Sequence, residues 1–265
     1  MSPHSSNDGG FAKAAGAPAP QTIVTDAEGL DAALVTLPGG APAYVARPGE
    51  GDTYPIVLIA QEIFGLHEHI RDIARRFAKL GYLAIAPDYI IGYGDPRTAP
   101  DIDAIRAIVV RVPDAETMTI FDEALAFAAT KGGDPSRAAV TGFCWGGRIA
   151  WLYAAHNPRL RACIPWYGRL DGARTKAQSR WPIDIATALK VPTLALYGGA
   201  DPSIPLELVE AMRTRLKEAH APAEFIVYDG APHAFFADYR ESYREEAAKD
   251  AWARALAFLR ARGAG

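Results

Sequence analysis

Cys144 is the residue whose setting most suggests chemistry. It sits in Gly142-Phe143-Cys144-Trp145-Gly146-Gly147, after an apolar run, Arg137–Thr141, and before a helical pattern, Arg148–Ala155. A strand, a sharp turn and a helix in that order form a nucleophile elbow, with a thiol where a hydroxyl is usual. The turn strains the backbone at the nucleophile, and side chains two residues to either side would collide. Gly142 and Gly146 fill those two positions. A helix N-terminus beneath a thiol favours the thiolate, the nucleophilic form. Taken singly, a free cysteine is more often an inert buried hydrophobe, and glycines after a strand can serve packing alone. The weight of the reading therefore rests on residues elsewhere.

Asp201 and His233 follow Cys144 along the chain. Nucleophile, acid, histidine is the chain order of α/β-hydrolases. An imidazole takes and returns protons near neutral pH, and a carboxylate orients the ring and stabilises its charged form. Cys144 would then attack an acyl carbon, with His233 handling the proton and Asp201 holding the ring. The oxyanion formed by that attack needs two backbone N–H donors. Trp145, next after the nucleophile, supplies one, and Ile63, in the loop after the third strand, supplies the other. Each member has a plainer reading. Asp201, before Pro202, can open a turn or cap the next helix, and His233 can be an ordinary loop histidine.

The elements that must position these residues are legible. Ala32–Leu37 and Ala41–Arg47, separated by Pro38-Gly39-Gly40, read as a hairpin. Pro55–Ala60, Tyr82–Ala86, Arg137–Thr141, Ala162–Tyr167, Thr193–Tyr197 and Glu224–Tyr228 read as strands, several of them unbroken apolar runs suited to burial on both faces. Helices are expected at about 68–80, 101–110, 115–130, 206–219 and 243–262, besides the one after the elbow. A polar loop is expected over about 169–184. Alternating strands and helices from residue 55 onward imply a mainly parallel, twisted sheet covered by helices on both faces. Ligands bind outside the carboxyl ends of such strands, where Cys144, Asp201 and Glu62 fall; His233 lies in the loop after the last strand.

The chain has 265 residues, a formal charge of −3 and 49% apolar residues. That supports a large core and carries no basic footprint for nucleic acid. No apolar run reaches the roughly 18–20 residues of a membrane span. Two cysteines, Cys144 and Cys163, are too few for a disulfide framework and lack zinc-binding spacing, so both read as free and no metal is expected. Residues 1–19 are rich in Ser, Gly, Ala and Pro and read as a disordered tail. Residues 20–265 read as one domain. A cytoplasmic location is the default expectation, with the periplasm the alternative if the tail is the remnant of an export signal.

Gln61-Glu62-Ile63-Phe64-Gly65, Pro87-Asp88, the cysteine elbow, Gly199-Ala200-Asp201 and Pro232-His233-Ala234-Phe235 together resemble the dienelactone hydrolase (carboxymethylenebutenolidase) family, over about residues 30–262. The resemblance implies an α/β-hydrolase fold and a Cys144–Asp201–His233 triad. It also implies a role for Glu62, as the group that keeps the resting thiol neutral and becomes its base when substrate arrives. An unguarded thiolate would oxidise. The expected activity is cleavage of a small ester or lactone through a thioester on Cys144, with no cofactor, by a monomer or small homo-oligomer. A thiol redox or transfer protein and a non-catalytic binding protein are the alternatives. The sequence departs from the family where substrate is read. Well-known members carry an arginine shortly after the Pro-Asp and another four residues after the histidine, the latter position being Ala237 here; Arg97 and Arg240 are nearby but displaced. Tyr89, Tyr93, Trp166, Tyr167 and Phe236, with Arg97, are the candidate substrate-binding residues.

Overall fold

A computed structural model describes residues 22–265; the tail expected over residues 1–19 lies outside them. Unbroken apolar runs make the centre of the sheet. β3 (Tyr54–Ala60), β4 (Leu83–Pro87), β6 (Ala162–Trp166) and β7 (Thr193–Gly198) are buried at every position. Strands sandwiched on both faces have no polar side to show, which is why they do not alternate. With β1 (Leu30–Thr36), β2 (Pro42–Pro48), β5 (Gly133–Phe143) and β8 (Ala223–Tyr228), they form one eight-stranded sheet in the order β1-β2-β4-β3-β5-β6-β7-β8. β1 and β2 form the expected hairpin, and β2 also pairs antiparallel with β4; every other pairing is parallel. The sheet edges, β1 and β8, are only part-buried.

Helices cover both faces. α1 (Glu68–Lys79) and α7 (Glu245–Ala261) share one layer, where Phe77 and Trp252 meet with ring centroids 4.7 Å apart. α2 (Ile102–Val109) is short, capped by Asp101, and packs against the 3-10 turn at Pro96–Thr98. α3 (Asp114–Ala129) and α4 (Trp145–His156) pack together on the other face, Phe121 against Tyr153 at 5.2 Å. α6 (Leu206–Glu218) packs against β8. α1 shows how sequence ends a helix. Gly81 adopts φ 94°, which lets its N–H reach Ala78 O at 3.0 Å and the Tyr82 N–H reach Phe77 O at 3.1 Å. Those two bonds close the last carbonyls, and the Phe77 and Tyr82 rings pack over them.

Two expectations change. The elbow strand is far longer than Arg137–Thr141, because Gly133 and Asp134 already pair with Tyr54 and Pro55 before a bulge shifts the register. The stretch 169–184 is not all loop. It ends in α5 (Pro182–Ile185), followed by a 3-10 turn at Ala186–Ala188. The Asp184 carboxylate accepts the Trp181 N–H at 2.9 Å and starts that helix. Four residues are too few to show helical periodicity.

Gly81→Ala forces a Cβ into the left-handed region, so the unfolding free energy falls by about 1 kcal/mol or more. Gly92→Ala, with open space at its Cβ and no positive φ, changes it by less than about 0.5 kcal/mol. Urea titrations of the two variants check both figures.

Candidate active site

Cys144 is held at φ 55° and ψ −115°, outside the conformations an L-residue prefers. Its neighbours show why this turn demands glycine. A Cβ on Gly142 would lie 2.1 Å from Gly146 O, and one on Gly146 would lie 2.0 Å from Ala60 O. The elbow is thus clamped onto the end of β3. The Cys144 N–H donates to Trp166 O at 3.0 Å, tying the turn to β6 as well. Cys144 is part-exposed, whereas Cys163 is buried in β6 with its thiol toward Ala150 O; both are free. Burial pushes the Cys163 thiol far up, so it stays protonated.

Asp201 follows β7 and His233 follows β8. Their loops are joined where the Ala200 N–H donates to Ala231 O at 2.9 Å. Asp201 uses both oxygens. Oδ1 accepts the Ser203 N–H at 2.8 Å and the Ser203 hydroxyl at 2.6 Å, while Oδ2 faces His233 Nδ1 at 2.6 Å. Burial disfavours the Asp201 charge, but the hydrogen bond from His233 outweighs it and holds the carboxyl below its usual range. The turn-opening and triad readings of Asp201 therefore coexist. With Nδ1 committed to Asp201, Nε2 is the ring nitrogen left over, and the charge of Cys144 acts on the imidazole. Burial would lower the His233 pKa. The charge of Cys144 and the hydrogen bonds of Asp201 and Cys144 overcome it and raise it to about 10.

Glu62 leaves β3 two residues beyond Ala60, and Cys144 leaves β5 two beyond Gly142; Ala60 and Gly142 are partners across the parallel ladder. The two side chains therefore start level. Glu62 is fully buried, and its Oε2 accepts from His67 Nε2 at 3.1 Å and from the Tyr239 hydroxyl at 2.8 Å. Burial works against its charge, and donation from His67 outweighs it, bringing the carboxyl down to about 2. Burial in turn drives the His67 pKa down. Neither the Ile63 nor the Trp145 amide is taken by a backbone carbonyl among the described residues. Trp145 opens α4, where amides lack an intrahelical acceptor.

The candidate substrate residues scatter. Tyr167, at φ 38°, packs edge-on against His233 with centroids 5.2 Å apart, and its buried hydroxyl has no partner among the described residues. Phe236 lies at 4.5 Å from Trp166, and Trp166 gives its indole N–H to Thr141 Oγ1 at 3.0 Å within the core. Tyr89 is buried and donates to Gln61 O at 2.7 Å, beneath the Glu62 loop. Tyr93 bonds to Glu116 at the surface, and Arg97 forks onto Asp95 at 2.8 and 2.9 Å. Among the described residues, Tyr167 is the one of the six whose ring packs against His233, while Trp166 meets Cys144 through its backbone carbonyl. Ser203, His67, Tyr239 and Arg148 escaped sequence reasoning. Ser203 had a signal, since an Asx turn two residues past an acid is local. Tyr239 had none, because the fold brings it to Glu62 from far along the chain; His67 lies five residues from Glu62 in the same loop, where no regular period links the two.

Arg148 is wholly buried between Trp145 and Trp181, its guanidinium carbon 4.6 and 4.5 Å from their ring centroids. It forks onto Asp114 at 2.6 and 2.8 Å and donates to Arg180 O. It thereby fixes the Trp145 side chain beside Cys144. Among the described residues, no cluster of three or more His, Cys, Asp or Glu is arranged to hold a metal, and no helix is long and apolar enough to cross a membrane.

A mainly parallel sheet with a strained elbow after β5, an acid after β7 and a histidine after β8 defines an α/β-hydrolase. A profile of the dienelactone hydrolase family matches residues 41–262. A Salmonella typhimurium (strain LT2) protein bearing the provisional name carboxymethylenebutenolidase is 50% identical over 252 residues, covering 93% of each chain. An Escherichia coli K12 protein of the same provisional name is 48% identical over 259 residues, covering 96% of each. The crystal structure of a provisionally named dienelactone hydrolase from Klebsiella pneumoniae superposes with a TM-score of 0.85 at 50% identity, over 87% of this chain and 98% of that one. The chain belongs to the dienelactone hydrolase family and is a hydrolase of ester or lactone bonds.

Because folding raises the proton affinity of His233, its contribution to stability is complete below the ordinary pKa near 6.5 and is lost as pH climbs through about 10. Cys144→Ala removes one charge and one hydrogen bond that raise it. The imidazole midpoint, followed by NMR, falls by at least one pH unit in that variant; an unchanged midpoint would mean that Asp201 alone sets it.

Proposed function

We propose that Cys144 is the nucleophile and that hydrolysis proceeds through a thioester acyl-enzyme. The observation that carries this reading is the strained elbow that presents the part-exposed Cys144 beside an imidazole, His233, whose Nδ1 is held by Asp201; the charge of Cys144 in turn raises the proton affinity of His233. While the sulfur is a thiolate, His233 stays protonated and can act as an acid. Once the sulfur is acylated, that charge is gone, and the ring loses its proton readily and can act as a base. One residue thereby serves both half-reactions without moving.

In the first half, the Sγ electron pair forms the C–S bond and the carbonyl π pair moves to oxygen, under the Ile63 and Trp145 amides. When the carbonyl re-forms, the C–O bond breaks and the leaving oxygen takes the His233 proton; in a lactone the leaving group stays attached through the ring. In the second half, His233 takes a proton from water, the hydroxide oxygen adds to the thioester carbon, and the thiolate leaves. Asp201, pinned by Ser203, keeps Nδ1 protonated throughout. Glu62 is a full negative charge starting level with the sulfur. Without substrate it opposes ionisation of the thiol; with substrate it accepts the thiol proton, the thiolate so formed keeps His233 protonated, and the proton returns from Glu62 to the sulfur when the acid product leaves.

A lactone substrate fits the relatives. A Bradyrhizobium protein, 31% identical over 82% of this chain, bears the name probable 2-oxo-3-(5-oxofuran-2-ylidene)propanoate lactonase. The absence of an arginine at 237 points away from an identical way of gripping an anionic substrate, since arginine is the residue suited to forked carboxylate binding. The redox reading loses ground because Cys163 is buried and remains protonated.

Cys144→Ala lowers kcat/KM on short p-nitrophenyl esters and small lactones by roughly 10³-fold or more, and a His233→Gln protein mixed with ester gains the acyl mass on the peptide bearing Cys144. Wild-type turnover in Cys144→Ala, or an acyl mass elsewhere, contradicts the assignment.

A further inference from the structure

Glu62 binds its two carboxylate oxygens very differently. Oε2 takes two donors, His67 Nε2 at 3.1 Å and the Tyr239 hydroxyl at 2.8 Å. Oε1 is buried and has no partner among the described residues. A bare buried carboxylate oxygen is costly, and the cost is understandable where that atom has a proton to receive. The two donors come from different parts of the fold. His67 is the residue before α1, in extended backbone, and its ring makes no cap to the helix. Tyr239 lies six residues past His233 in the chain, in the loop before α7. The His67 and Tyr239 rings meet edge-on at 5.3 Å, and Asp238 beside Tyr239 is tied to α1 by Arg76 at 2.6 Å.

We propose that His67 and Tyr239 are positioning residues that saturate Oε2 of Glu62 and so reserve Oε1 as the one carboxylate atom open to the Cys144 proton. The inference rests on the role given above to Glu62. The Sγ–H bond breaks with its electron pair left on sulfur. The proton forms an O–H bond at Oε1, and the carboxylate becomes a neutral acid still held through Oε2. Because Tyr239 belongs to the segment that follows His233, the same loop sets the triad imidazole and the orientation of this base.

Other groups also act on Glu62. His69 and, from the loop after His233, Arg240 pull its pKa down together with His67. Tyr167 from the end of β6 and Tyr89 from the end of β4 sense the charges of both Glu62 and Cys144. Arg71 faces His67 from α1, and Asp238 acts on Tyr167. None of these donates a hydrogen bond to Oε2, so deleting the two donors isolates their contribution.

The test is the pH profile of kcat/KM for p-nitrophenyl acetate. Removing a donor from a buried carboxylate raises its pKa. Tyr239→Phe and His67→Phe each move the acid limb upward by about one pH unit or more, and the alkaline limb stays in place. His67→Gln, whose amide can still donate, keeps the limb within a few tenths of a unit of wild type. Tyr239→Phe removes one oxygen and keeps the ring, so it carries the test if His67→Phe does not fold. A purely structural role would lower kcat/KM with the limb unmoved, and that result in folded Tyr239→Phe overturns the proposal. If Cys144→Ala is inactive while the limb stays put, only this inference fails; if Cys144→Ala retains turnover, the reading beneath it fails as well.

Discussion

Backbone lying against backbone is the constraint on which this molecule depends. Gly142, Gly146 and the end of β3 approach so closely that a single methyl at either glycine would overlap a carbonyl oxygen. That contact turns the chain at Cys144 into a conformation it would otherwise leave, at a cost of order 1–3 kcal/mol. Burial of the central strands on both faces supplies the rigidity that sustains the strain. It also brings β3 and β5 to the same level, so that Glu62 and Cys144 emerge side by side. Strain at Cys144 and the placing of Glu62 are thus two results of one packing contact.

The electrostatics follow from how each charge is solvated by the protein. Asp201 is a carboxylate with every donor it needs: a backbone amide, a hydroxyl and an imidazole. Glu62 is the opposite, satisfied at one oxygen and bare at the other. A saturated carboxylate is a poor proton acceptor and a good orienter, while a half-satisfied one can exchange a proton at its bare atom. Two acidic residues of the same chemistry are given different capacities by their donors alone.

How much of this the sequence revealed depended on whether the signal was local. The strand–elbow–helix unit, the chain order of Cys144, Asp201 and His233, and the parallel sheet were all legible, because each is written in adjacent residues or in an apolar run. The Gly142 and Gly146 requirement was legible too, since the steric argument is intrinsic to the turn. α5 was not, because one helical turn has no period to detect, and the early start of β5 was hidden by a bulge that only pairing with β3 explains. The hold of Tyr239 on Glu62 joins residues far apart in the chain, so no spacing could announce it, and the His67 contact lies within an irregular loop that carries no periodic signal. Aromatic residues were the least informative: Trp166 and Tyr167 are adjacent in the chain, yet one is core and the other leans on the His233 imidazole.

Arg148 gives this architecture a historical signature. Its guanidinium, packed against two mutually perpendicular indoles and paired to Asp114, has no water to retreat to. Losing Asp114 alone would strand a buried positive charge, at a cost of about 3–5 kcal/mol, whereas exchanging both residues for apolar ones of similar volume could be nearly neutral. Divergence at these two positions should therefore proceed by coordinated replacement. Lineages that abandon the arginine should abandon the aspartate with it, and the indoles at 145 and 181 should then be released to vary.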